Sequence, residues 1–81
     1  MAARPRRCTI LDKLTYSECE ASIRQSRLGW EDEEIARMYL LEREPQVEIA
    51  DVLRIARNTI SRRLPRIEER VLNAAKRMGY I

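Results

Sequence analysis

Between residues 46 and 66 the chain reads QVEIADVLRIARNTISRRLPR, and the spacing of its apolar positions admits little besides two short helices meeting at a tight turn. Ile49 and Leu53 lie four apart, and Val47 and Ala50 complete the expected buried stripe of a first helix. Ile60 and Leu64 repeat that interval in a second helix. Ile55 plugs the turn, and Ala50 offers the small surface on which two helix axes can approach closely. The pattern predicts a helix-turn-helix at 46–64, with Arg57, Asn58, Thr59, Ser61, Arg62, Arg63 and Arg66 left outside.

Those outward side chains suit a duplex surface. Arginine bonds guanine edges bidentately, asparagine suits adenine, and serine and threonine bond phosphate oxygens. An ordinary structural hairpin also has solvated polar faces, so the sign of the charge discriminates between the two readings. From Arg54 to Arg66 there are five arginines and no acidic residue, whereas a merely solvated face mixes both signs. Double-stranded DNA is therefore the expected partner.

The same segregation runs through the whole chain beneath a net charge of only +3. Residues 31–53 hold eight acids against Arg37 and Arg43, and residues 54–81 hold eight bases against Glu68 and Glu69. Residues 1–30 are basic again, six to three. Charge divided in this way steers an anion to one face and keeps it off another.

The 81 residues make one domain, whose small core stabilises only marginally, so that a second copy of the chain or bound DNA can matter to stability. With two glycines and no β-branched runs, the expected class is all-α: a compact four- to five-helix domain over 10–81, preceded by a basic arm at 1–9. The arm reads either as a solvated terminus or as a tail that follows a groove or the phosphate backbone. Thr15 and Glu18 form a capping box, so a helix is expected over about 16–27 with Tyr16, Cys19 and Ile23 inward, preceded by a lead-in turn at Leu11 and Leu14. Gly29 interrupts the pattern and Trp30 is expected to staple the next helix as a core residue. Glu31, Asp32, Glu33 and Glu34 then complement the exposed N–H groups of its first turn. Ile35, Met38 and Tyr39 mark its buried face, and Pro45 is expected to end it. Leu64, Ile67, Val71, Ala74 or Ala75 and Met78 make a C-terminal stripe stopped at Gly79. That stripe packs either on the N-terminal helix, the favoured arrangement, or on a second copy. Pro65 removes a backbone donor and crowds the carbonyl of Ser61, so a break or clear bend is expected there.

Other chemistries find little to work with. Histidine is absent, Cys8 and Cys19 are too few for a disulfide framework or a zinc site, and no cofactor is expected. Neither a Gly-rich phosphate loop nor a pair of carboxylates in an apolar cleft is visible, so the chain does not read as an enzyme. No apolar run approaches the length of a membrane span or follows the basic terminus as a signal peptide would require, and a cytoplasmic location is expected.

The run EDEEIARMYLLEREPQVEIADVLRIARNTISRRLPRIEERVL, residues 31–72, resembles region four of bacterial sigma factors and the small sigma-like regulators of phages and mobile elements. Its core is EIADVLRIARNTISRRL, Glu48 to Leu64, set against the family's E-I-A-x-x-L-x-I-S-x-x-T-V-x-R-x-L. The resemblance implies a small transcriptional regulator associated with the bacterial nucleoid, with RNA polymerase as a further candidate partner. It also implies that Arg57, Asn58, Ser61 and Arg62 face bases while Thr59, Arg63 and Arg66 face phosphates. The polymerase-binding and promoter-melting regions of a complete sigma factor find no room here. Three departures stand out. Arg54 occupies the turn glycine, at positive φ that is costly for any other residue. Ala56 replaces the capping Ser or Thr, which passes part of that task to Asn58. Pro65 interrupts a helix that the family continues. Two alternatives stand beside this reading: a DNA module of a phage packaging or recombination assembly, and a helical protein-interaction adaptor that uses the acidic face at 31–34 and does not bind DNA.

Overall fold

The first helix begins where a side chain can satisfy its exposed donors. The Thr15 hydroxyl accepts from the Glu18 N–H at 3.2 Å, and Glu18 Oε1 accepts from the Thr15 N–H at 3.0 Å. This reciprocal cap opens α1, Tyr16–Gln25, behind a short 3₁₀ turn at Leu11–Lys13. The computed structural model describes residues 11–81; the arm expected at 1–9, and Cys8 with it, falls outside the described residues. The described residues hold four α-helices and no strand, as an all-α chain requires.

Gly29, at φ 89°, turns the chain into α2, Trp30–Ala36, whose first turn carries Glu31, Asp32 and Glu33. The helix then widens into a π-helical turn, Arg37–Leu41, closed by the Glu42 N–H donating to the Arg37 carbonyl at 3.0 Å. Pro45 does not end this helix. Arg43 does so at φ 56°, and Pro45 instead stands as the N-cap of α3, Gln46–Leu53, where a fixed φ and a missing N–H are harmless. A turn over 54–56 leads into α4, Arg57–Arg77.

The turn has the strain anticipated from its sequence. Arg54 sits in the left-handed region at φ 56° and ψ 42°, and the Ile55 N–H donates to the Ala50 carbonyl at 3.1 Å. Arg27 and Arg43 occupy the same region, so three helix ends use arginine where glycine is easiest. Ala56 opens α4 without a side-chain cap, and Asn58 supplies none. At the other end the Tyr80 N–H donates to Ala75 and the Gly79 N–H to Lys76, a Schellman closure with Gly79 at φ 80°.

The break expected at Pro65 does not occur. α4 runs through it as one helix of 21 residues. Pro65 and Ser61 both lie on the exposed side, so the carbonyl deprived of its donor faces solvent and no buried group is orphaned.

The long helix α4 is the organising element, packing on α1, α2 and α3. Ile60, Leu64, Ile67, Val71, Ala74 and Ala75 form its buried stripe, so the C-terminal segment packs within the chain, against α1. They meet Ile23, Ile35, Tyr39 and Ile49 from the other helices, with Ala50, Leu53, Ile55 and Met38 packed around them. Buried Ser22 and Ser26 donate to the carbonyls of Glu18 and Ile23 at 2.8 and 2.6 Å, and Cys19 is buried with its thiol pKa raised by desolvation.

Four side chains expected in the core are outside it. Tyr16 is 61% exposed because it stands at the first position of α1, past the elements that cover Cys19 and Ile23. Val47, 56% exposed, lies about 160° round the helix from Ile49. Met78 caps α4 beside the end of α1, which covers it only in part, and Trp30 projects from the start of α2 with 76% of its surface exposed.

Candidate nucleic-acid interface

Burial of Ile60 and Leu64 fixes the rotation of α4, and at about 100° per residue this decides what the first half of the helix presents. Asn58 and Arg62 fall on the outward face, Ser61 lies on its side away from Arg63, and Arg57, in the first turn, lies close to the buried stripe; all four are exposed. Thr59, Arg63 and Arg66 line one flank, where Arg66 is exposed and the other two are half-buried. The seven positions singled out from sequence therefore form one continuous surface on one helix. Arg57, Arg62 and Arg66 make no ion pair with any of the described residues, and neither does Arg54 in the turn before them.

Arg63 differs from its neighbours. Its Nη1 donates to Glu31 Oε1 and, at 3.2 Å, to Asp32 Oδ1, which ties the flank of α4 to the first turn of α2. The hydrogen bond to Glu31 raises the Arg63 pKa above its ordinary value. Two acids of the 31–34 run thus act on a tertiary partner as well as on their own helix end. A second pair, Arg37 Nη2 to Glu20 Oε2 at 3.1 Å, joins the π-helical turn to α1.

Between the start of α2 and this flank lies an open groove of about 700 Å³, with Leu28 and Trp30 on one side and Thr59, Arg62 and Arg66 on the other. Trp30 is the site residue that the sequence reading placed in the core. The signal was available, since five residues of helix separate it from Ile35 by about 140°, pointing it outward. Arg63's engagement had no such signal, because its partners lie more than 30 residues away.

The surface combines guanidiniums, an amide and hydroxyls, the groups that bond base edges and phosphates. No cluster of metal-binding side chains occurs among the described residues, and no described helix is long and apolar enough to cross a membrane. Comparison of the chain with protein-family models, curated proteins and solved structures gives no match.

Proposed function

We propose that the chain binds double-stranded DNA by laying the first half of α4 in the major groove, with α3 and the turn at 54–56 as the preceding half of a helix-turn-helix. The observation that carries this reading is the exposed arc of α4 holding Arg57, Asn58, Ser61 and Arg62, with no acidic residue from 54 to 66 and the guanidiniums of Arg54, Arg57, Arg62 and Arg66 unpartnered among the described residues. Free surface arginines on an ordinary helical hairpin would be interspersed with acids. Here Glu31 and Asp32 are taken up by Arg63, and none of the described acids pairs with Arg57, Arg62 or Arg66.

In this reading Arg57, Asn58, Ser61 and Arg62 meet base edges, and Thr59 and Arg66 meet phosphates on the flank. Arg63, which the resemblance places toward phosphates, is engaged by Glu31 and Asp32, so in this reading it holds α2 against α4 and sets where that flank lies. The resemblance to region four of sigma factors supports the regulatory half of the proposal: a small transcriptional regulator, cytoplasmic and without enzymatic activity, for which RNA polymerase and a second copy of the chain are the further partners. Selection of bound duplexes from a random pool tests it. A defined consensus is expected, and Arg62→Ala costs about 1–3 kcal/mol on that site and far less on random duplex. Recovery of no preferred sequence, or equal losses on both duplexes, refutes base reading by this face.

A further inference from the structure

We infer that the groove between the start of α2 and the flank of α4 seats one sugar–phosphate strand of the bound duplex, with Trp30 packed against its deoxyribose. This rests on the DNA reading above and adds a contact on a different element. The groove adjoins the proposed base-reading face, because Arg62 belongs to both and Thr59 and Arg66, on the flank, line the groove beside it. A helix lying in the major groove brings a flanking strand along its side, so whatever wall stands there meets backbone rather than bases.

The chemistry of that wall favours the same occupant. Three guanidiniums, Arg62, Arg63 and Arg66, face two carboxylates, Glu31 and Asp32, which leaves the groove with one net positive charge. Arg63 and the carboxylates satisfy one another, so the two free cations both stand on the α4 side. A phosphate is accordingly drawn to Arg66, with Arg62 adding positive potential from the edge of the base-reading face, and held away from Glu31 and Asp32. The space left between them and α2 is bordered by the indole of Trp30, whose 76% exposure leaves most of a large apolar surface uncovered. A deoxyribose is the apolar part of the strand that follows each phosphate. A basic peptide would meet Arg62 and Arg66 head on, and an apolar one would bury those charges unpaired. The volume of about 700 Å³ is that of a site able to take a group of nucleotide size.

Trp30 is the single tryptophan of the chain, so its emission reports the groove alone. The experiment is a titration with an end-labelled duplex in which DNA anisotropy and tryptophan emission are followed together, repeated with Trp30→Ala and Trp30→Phe. The inference expects emission to change along the same curve as anisotropy. Trp30→Ala weakens selected and random duplexes alike by roughly five- to thirtyfold, the effect of uncovering part of an indole, and Trp30→Phe recovers part of the loss. The salt dependence keeps its slope, since no phosphate loses a cation. Circular dichroism checks the folding of the variants, while the wild-type emission readout needs none. If anisotropy rises normally but emission stays constant and Trp30→Ala binds like the parent, the groove is not occupied by DNA and this inference falls alone. Emission that responds to a mononucleotide as strongly as to duplex overturns it too, assigning the groove to a free nucleotide. If anisotropy never rises, the DNA reading itself has failed, and the groove assignment falls with it.

Discussion

Replacing Arg54 by glycine should make the protein more stable, although it removes a side chain and adds no contact. Arg54 holds φ 56° and ψ 42°, a conformation that costs an L residue about 1–2 kcal/mol and glycine almost nothing. Glycine returns some of that gain by enlarging the conformational freedom of the unfolded chain, an effect of about 0.4–1 kcal/mol. Arg54 is exposed and its side chain has no hydrogen bond or ion pair among the described residues, so removing that side chain leaves nothing unsatisfied, and the backbone N–H keeps its bond to the Ala50 carbonyl. The net expectation is a stabilisation of about 0.3–1 kcal/mol, which for a domain of this size raises Tm by about 1–8 °C. Arg54→Ala separates conformation from charge, because alanine keeps the left-handed penalty and should change stability little. Urea and thermal unfolding of the three proteins provide the measurement. The reasoning is refuted if Arg54→Gly is less stable than the parent. It is refuted equally if Arg54→Ala gains as much as glycine, which would trace the effect to relief of repulsion among the arginines.

Pro65→Ala should leave the helical circular dichroism nearly unchanged, because α4 already runs through Pro65, yet stabilise the fold by about 1–2 kcal/mol once Ser61 regains its donor; a large rise in helicity would mean that the helix is broken in solution. Ile60→Ala empties a fully buried position at the junction of α4 with the other helices and should cost about 2–5 kcal/mol, against a total on the order of 4–12 for a chain of this length, so a loss below about 1 kcal/mol in urea unfolding would place Ile60 outside the core. Glu31→Gln combined with Asp32→Asn should strengthen binding to any duplex and steepen its salt slope by about one unit, since Arg63 is released to a phosphate; an unchanged slope would show that Arg63 stays out of reach of DNA even when free.

Features set by neighbours in sequence were legible before the structure. The Thr15–Glu18 cap is local hydrogen bonding, the division of the second half at 54–56 follows from two i,i+4 apolar pairs, and the C-terminal stripe from Leu64 to Ala75 finds its cover on α1. The exposed arc of α4 was legible for the same reason, because Ile60 and Leu64 fix its rotation. What was missed depended on the ends of elements or on distant partners. Tyr16 and Met78 fit their helical stripes but stand at helix ends, where neighbouring elements cover them only in part, and the position of Trp30 beside Gly29 suggests a staple although its angle to Ile35 points it outward. The π-helical turn at Arg37–Leu41 shifts the end of that helix away from Pro45, and nothing in local propensity marks such a turn. The local penalty at Pro65 predicts a break, but burial on both sides of it outweighs that penalty: Leu64 and Ile67 anchor the helix across the lost hydrogen bond.

The central claim, that the unpartnered arginines of α4 bind duplex DNA, is tested most directly by titrating a random-sequence duplex at 50 and at 200 mM salt. Arg57, Arg62 and Arg66 can each neutralise a phosphate when no preferred base is present, which gives a slope of about −2 to −3 in log affinity against log salt and a loss of roughly 15- to 60-fold across that interval. An affinity indifferent to salt, or no binding at the lower concentration, would contradict the account and leave this face of α4 as solvated surface.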